Sequence, residues 1–254
     1  MKRFLTVMIL LCLVFCICSS QDLWKKRRYE VITSIGTTQF FGDVGGYSRS
    51  ANILGLKDIS FRQTRFNIST GLRYKITNRF AARFSLSYGM FHATDARGSN
   101  ESRGYEARTS FIEPVGIAEY YFVKSSKEES WLFDRNRPTQ SGEIFSSLDL
   151  YGFVGIGGLY YNVKENDKLA ARGMKNSGLT SVVPLGIGLK VLIRPDWDLG
   201  LELGGRYTFS DYLDGYSSQY SRSNDVYYFF NVTLIYRILT GSNGLPAFLN
   251  KNKN

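Results

Sequence analysis

Cysteine is nearly missing from this chain. The 254 residues include three cysteines, Cys12, Cys16 and Cys18, and all three lie close to the N-terminus. If this N-terminal segment is removed as a leader peptide, the mature chain has no disulfide, no thiol nucleophile and no cysteine-ligated metal site. Histidine is scarcer still, since His92 is the only one in the chain. A histidine-based metal centre is therefore not expected.

Long apolar runs are also absent beyond the N-terminus. A basic start, Lys2-Arg3, precedes the apolar run Phe4–Cys18, which ends in small residues typical of a cleavage site. This pattern predicts a signal peptide over residues 1–20 and a mature chain over residues 21–254. The run is too short for a membrane-spanning helix. In a lipoprotein one cysteine would be acylated, but none follows the usual Leu-Ser/Ala-Gly/Ala spacing.

A strict alternation of side chains is present instead. From residue 65 to residue 76, charged or small residues alternate with apolar or aromatic ones, so a strand here has one polar and one apolar face. The pattern recurs along the chain behind the secretory signal. Mean hydropathy is only -0.19 and aromatics make up 15% of residues, as expected for strands that face lipid on one side between aromatic girdles.

The chain is therefore predicted to be all-β, a closed transmembrane antiparallel β-barrel of about eight strands with a polar lumen (OmpA-like in size), in the cell outer membrane. An even strand number places short N-terminal and C-terminal segments in the periplasm. Linkers alternate between long and short, except for the long connection 124–143 on the predicted periplasmic side. The predicted strands are Tyr29 to Phe41, Arg65 to Ile76, Phe80 to Phe91, Glu106 to Val123, Ser147 to Asn162, Val182 to Ile193, Asp198 to Phe209 and Tyr227 to Arg237.

Charged residues of both signs fall on the inward phase of these strands. A barrel of this size is only wide enough for its own side chains, and an unpaired buried charge is costly. We therefore expect an ion-pair network in the lumen; the alternative is a narrow selective pore. The predicted network comprises Arg65, Arg73, Arg83, Glu113, Glu119, Lys190, Glu202 and Arg206.

The segment Gly204–Asp214, with Pro184–Lys190, Trp197–Glu202 and Phe40–Asp43, resembles a family of small Bacteroidetes outer-membrane barrels. That family includes PorG, a component of the type IX secretion system. The resemblance extends over nearly the whole mature chain. It implies a non-enzymatic barrel that contacts the periplasmic ring proteins of a secretion machine.

Three features on the predicted periplasmic side suit such a contact: a basic run, the long connection and a lysine-containing tail. Aromatic residues flanked by charge are typical of protein contact sites. The alternative is that these residues rest on lipid head groups. The candidate contact residues are Lys25, Lys26, Arg27, Arg28, Trp131 and Phe133.

Few residues in the sequence point to catalysis or metal binding. His92 precedes Ser99, Glu101 and Ser102, which leaves a lipid-modifying enzyme as the least favoured alternative. The aspartates at 211, 214 and 225 lack the spacing of a calcium loop. We expect no catalysis, no cofactor and no metal.

The net charge of +10, of which Lys2 and Arg3 contribute two, predicts contact with outer-membrane lipids and lipopolysaccharide phosphates. Nucleic acid is not expected as a partner, because the charges alternate into strand faces.

Overall fold

A computed structural model describes residues 22–45, 60–96, 100–125, 145–172, 176–217 and 224–249. Eight antiparallel strands pair in sequence order, and the last pairs with the first to close a barrel, so the predicted fold class is confirmed. The strands are β1 (Tyr29–Phe41), β2 (Arg65–Lys75), β3 (Phe80–Thr94), β4 (Glu106–Val123), β5 (Leu148–Glu165), β6 (Ser177–Arg194), β7 (Trp197–Thr208) and β8 (Val226–Ile238).

The helices named among the described residues are short. Helix α1 (Asp167–Ala170) follows β5, and 3-10 helices span Asp22–Arg27, Glu101–Arg103 and Ala247–Leu249. No helix among the described residues is long and apolar enough to cross a membrane. The predicted signal peptide and most of the 124–143 connection lie outside the described residues.

Burial alternates along each strand with the predicted phase. In β7, Leu199, Leu201 and Leu203 are 38–50% exposed, while Asp198 and Glu202 on the other face are buried. The same inversion, apolar outside and charged inside, recurs around the barrel. A soluble protein rarely exposes so large an apolar surface, so the exterior is built to face lipid.

Aromatic side chains form belts at the two ends of this apolar band. At the end with the tight turns, the ring centroids of three cross-strand pairs lie 4.9–5.1 Å apart. Such girdles mark the lipid–water boundaries, and tight turns mark the periplasmic side. The periplasmic pairs are Tyr29–Tyr74, Phe80–Tyr120 and Trp197–Tyr236, and the external pairs are Phe41–Tyr228 and Tyr207–Phe209.

Strand β6 differs most from its predicted bounds. It begins at Ser177, five residues before the predicted start, because its polar first residues pair with the end of β5, Gly178 opposite Tyr161. A side chain at Gly178 would meet the Tyr161 hydroxyl, since an added Cβ would lie 2.8 Å from it. The first residues of β6 have the serine- and glycine-rich composition of a loop, but pairing with β5 holds them in a strand.

The apolar exterior gives the first testable prediction. Leu201→Arg puts a charge near the middle of the lipid-facing band and should lower the free energy of unfolding by about 2–4 kcal/mol. Val191→Arg, near the periplasmic girdle, should cost about 0–1 kcal/mol. Urea titration of the protein in lipid vesicles measures both. Equal costs at the two sites would contradict the proposed membrane position.

Candidate functional site

Arg73 on β2 is the hub of the lumen. Its guanidinium lies 2.8 Å from the Glu30 carboxylate and 2.7 Å from that of Glu119. It also donates to the Tyr151 hydroxyl at 3.4 Å. The arginine is only 1% exposed, so these carboxylates replace the water that a guanidinium would otherwise require.

Arg83 extends this cluster towards β7. It lies 3.0 Å from Glu119 and donates to Glu202 at 2.5 Å. Glu202 also accepts a hydrogen bond from Tyr151 at 2.6 Å. Two arginines therefore share Glu119, and Glu202 binds Arg83 directly and Arg73 through the Tyr151 hydroxyl.

A second tier lies nearer the periplasm. Lys190 is 2.8 Å from Asp198 and 3.1 Å from Glu30, and Lys75 is 2.7 Å from Glu30. Lys190 also lies 3.7 Å from Asp149, which Lys124 contacts at 2.8 Å, so charges of both signs alternate through this tier. A cavity of about 10 Å³ beside Lys75 and Lys190 has room for about one water molecule.

An aromatic tier fills the lumen above the charges. Phe91 stacks on Phe111 with centroids 4.3 Å apart, and Tyr227 lies 4.7 Å from Phe91. Phe153 and Phe229 complete the tier and are buried. The network around Arg73 therefore lies in the periplasmic half of the barrel interior, below a mainly aromatic tier.

Arg206 lies apart from the central network, although its phase is inward as predicted. Its Nε is 3.8 Å from the Glu113 carboxylate, its guanidinium lies 3.8 Å from the Phe229 ring centroid, and it donates to the Gly204 carbonyl at 2.7 Å. Phe153 occupies the space between Arg206 and Glu202, because an added Cβ at Gly204 would lie 2.7 Å from its ring tip.

The structure brings together five of the eight predicted network residues: Arg73, Arg83, Glu119, Lys190 and Glu202. Glu113 and Arg206 form a separate pair, and the Tyr227 hydroxyl donates to Glu113. Arg65 is the exception. It lies at the external rim, where it donates to the carbonyls of Arg62 and Thr64 at 2.8 Å each, and so differs from the prediction. Arg65 begins its strand, above the tier where the carboxylates converge.

Three buried tyrosines of the lumen are not among the predicted network residues. Tyr121 donates to Glu119 at 3.2 Å, and Tyr151 and Tyr227 donate to Glu202 and Glu113. Their inward phase was the available signal, because Tyr121 lies two residues from Glu119. Tyrosine is also common on the lipid face, so residue type alone did not separate the two.

The predicted periplasmic contact residues fall into three groups. Lys25 and Lys26 are exposed. Arg27 and Arg28 are engaged inside the protein instead: Arg27 binds the Pro195 carbonyl and Asp196, and the Arg28 guanidinium lies 4.9 Å from the Trp24 ring centroid. Trp131 and Phe133 lie outside the described residues.

Both chain ends are fixed together at the periplasmic mouth. The Thr240 amide donates to the Lys26 carbonyl at 2.8 Å, and the Tyr29 hydroxyl donates to the Gly244 carbonyl at 3.1 Å. We call residues 22–27 and 239–249 the periplasmic platform. Its apolar side chains are well exposed, including Phe248 at 65% and Leu249 at 60%.

The external end is covered by an external lid, which comprises residues 42–45, 95–96, 100–105 and 213–217. Buried Asp95 accepts hydrogen bonds from Arg103 at 2.9 and 3.0 Å and from the Gly45 amide at 2.9 Å. Asp214, also buried, accepts from the amides of Val44 and Tyr216 at 2.9 and 3.0 Å. Two carboxylates thus tie three loops across the external mouth.

Two buried carboxyl groups at the external end, those of Asp214 and Asp225, have raised pKa values. Burial, with the nearby carboxylates of Asp43 and Asp211, raises the pKa of Asp214 to about 7. Burial and the Asp214 carboxylate also raise the pKa of Asp225 well above its ordinary value. Within the described residues, no group of three or more potential ligand side chains is arranged to hold a metal ion.

His92 points outward from the external end of β3. Its Nε2 lies 3.0 Å from Glu106 and its Nδ1 lies 3.4 Å from the Arg62 carbonyl. Glu101 and Ser102 lie in the following 3-10 helix and are exposed, and Ser99 lies outside the described residues. The described contacts of the ring are therefore structural.

The family model described as a domain of unknown function (DUF6089) matches residues 3–243. The chain belongs to this family. No curated protein matches it.

Solved structures of small outer-membrane barrels are similar to the chain. Neisserial surface protein A has a TM-score of 0.43 and 11% identity, over 82% of this chain and 96% of that one. A major outer membrane protein from Thermus thermophilus has a TM-score of 0.42 and 12% identity, over 82% and 99%. The outer membrane enzyme PagL has a TM-score of 0.32 and 13% identity, over 81% and 97%. With TM-scores this low, the barrel assignment rests on the chain's own strand pairing.

Removing the hub should destabilise the barrel. Arg73→Met leaves Glu30 and Glu119 without their shared cation, and we expect it to lower the free energy of unfolding by about 3–5 kcal/mol. Arg206→Met should cost less, about 1–3 kcal/mol, because Glu113 keeps its hydrogen bond from Tyr227. Chemical denaturation in detergent compares them, with Leu203→Ile as the lipid-facing control. Equal losses in all three variants would contradict the tiered lumen.

Asp214 should give the external lid a pH dependence. Its folded pKa of about 7 lies above the ordinary 3.8, so the folded state binds this proton more tightly. The contribution of Asp214 to the stability of the folded state is therefore greatest at low pH and is lost as pH rises from about 4 to about 7. Asp214→Asn should flatten the decline in thermal midpoint over this range, while exposed Asp167→Asn should not. An unchanged slope in Asp214→Asn would show that another group titrates.

Proposed function

We propose that this chain is a non-enzymatic barrel of the cell outer membrane that anchors part of a type IX protein-secretion machine through its periplasmic platform. The observation that carries the proposal is the platform itself, in which both chain ends are hydrogen-bonded into one exposed surface. The resemblance of Gly204–Asp214 to the PorG-containing family supports the same role.

The chemistry of the platform suits a protein partner. Exposed Phe248 and Leu249 provide apolar contact area, and exposed Lys25 and Lys26 add positive charge at the same end of the barrel. Apolar side chains beside charged ones are typical of contact surfaces. The backbone hydrogen bonds between the two segments pre-order the surface, which lowers the entropy lost on binding. We therefore expect a periplasmic ring protein with an acidic, partly apolar face.

A stand-alone structural barrel is the second candidate. It is favoured by the filled lumen, in which Arg73, Glu119 and Phe111 are each about 1% exposed. The same packing argues against the narrow-channel alternative, and single-channel recording in planar bilayers distinguishes the two. A steady open-channel current from the wild-type barrel would favour the channel.

The anchoring role predicts a defect on the periplasmic side alone. We expect Phe248→Ser with Leu249→Ser, Lys25→Glu and Lys26→Glu to reduce co-purification of periplasmic ring proteins and export of secreted cargo. A matched external variant, Leu179→Ser with Lys168→Glu, should leave both unchanged. Heat-modifiable gel mobility checks that each barrel still inserts.

A separate variant, Trp131→Ala with Phe133→Ala, tests the predicted contribution of the long connection in the same assays. Normal export after deletion of the whole gene would reject the machine assignment and leave the stand-alone barrel. If only the platform variant shows normal export and co-purification, the contact lies elsewhere on the periplasmic face.

A further inference from the structure

A row of basic side chains crosses the outer wall of the barrel at its external end. In the strand register, His92 on β3 lies opposite Arg108 on β4, and Arg108 lies opposite Lys164 on β5. Arg108 and Lys164 are exposed on the lipid-facing side. Arg65 has the inward phase of β2 but lies at the external rim, where its charge and that of Arg108 interact. We call Arg65, His92, Arg108 and Lys164 the basic row.

The basic row carries more positive charge than its described neighbours neutralise. Glu106 lies 3.0 Å from His92 and 3.2 Å from Arg108, and it also acts electrostatically on Arg65. One carboxylate thus serves two arginines, Arg65 and Arg108. The Arg108 side chain remains 65% exposed, so its guanidinium is available to an anion.

The height of the row matches a head-group layer. His92 and Arg108 are each twelve residues along their strands from the periplasmic girdle pair Phe80–Tyr120. At about 3.4 Å per residue and a tilt of about 40°, this is about 30 Å above that girdle. The apolar band of such barrels is about 25 Å tall. The cations therefore lie just outside the hydrocarbon, on the external leaflet side.

An apolar trough lies directly beneath the row. It is an outward-facing depression of about 350 Å³ across β1 to β4. Ile112 in its wall is two outward positions below Arg108 on the same strand. A molecule lying against this wall would meet cations at its head and apolar side chains along its tail. The other lining residues include Ile68, Thr70, Leu86 and Tyr88.

We propose that the basic row and the trough form a binding site for lipid A, the phosphate-bearing lipid of lipopolysaccharide. Its phosphate contacts Arg65, Arg108 and Lys164, and one acyl chain lies in the trough. Guanidinium groups suit phosphate because they donate paired hydrogen bonds to it. The site faces the external leaflet, opposite the periplasmic platform, so it is independent of the anchoring function.

Binding of diphosphoryl lipid A to the purified full-length protein in detergent, measured by native mass spectrometry, tests the site. Substituting Arg65, Arg108 and Lys164 together by Gln should weaken retention at least about tenfold, because each loses a charge-assisted contact. The matched control replaces exposed Lys26, Arg79 and Arg194 by Gln at the periplasmic end and should bind like wild type. Heat-modifiable mobility confirms that both triple variants are folded.

Two further arms identify what is recognised. Dephosphorylated lipid A should bind wild type as weakly as intact lipid A binds the triple variant. Leu86→Trp, which fills the trough, should also weaken binding of intact lipid A while leaving the cations in place. Equal retention of intact and dephosphorylated lipid A would overturn the phosphate contact. Inorganic phosphate that binds as tightly as lipid A would overturn the lipid assignment, and equal affinity in wild type and the triple variant would overturn the site.

Discussion

A closed ring of eight strands encloses a space that its own side chains fill, and this limit governs the rest of the structure. Charges that enter the ring leave bulk water behind, so each needs a counter-charge within reach. Backbone hydrogen bonds join only neighbouring strands. The Arg83–Glu202 and Arg73–Glu119 pairs cross the lumen and join strands that are not adjacent. The ion pairs therefore tie together strands that the backbone ladder does not join directly.

The side of the sheet that each residue faces could be predicted from the sequence, because a strand has a period of two residues. Alternation in β2, β3 and β7 gave both the barrel and the inward phase of the charges. Linker lengths predict the direction of the chain through the membrane. The strand order followed from the sequence order, since consecutive strands pair as neighbours throughout.

The alternation of side chains does not predict how far along the barrel axis each inward residue lies. Strand tilt and stagger decide which inward residues meet, and both depend on all eight registers together. Arg206 illustrates this: it is four residues from Glu202 on the same face, yet Phe153 from another strand lies between them. Arg65 shares the inward phase of Arg73 but lies at the rim. The external lid could not be predicted from the sequence either, because Asp95, Val44 and Asp214 come from three separate loops.

The pairing of the first strand with the last has a consequence for biogenesis. Tyr29 pairs with Ile238, so the seam that closes the ring joins the first strand made to the last. Contacts between such distant parts of a chain form slowly, because a long loop must close first. Until β8 docks, the edges of β1 and β7 expose unpaired backbone groups that lipid cannot satisfy. An intermediate in lipid without β8 would leave two strand edges unsatisfied, which favours closing the ring together with insertion.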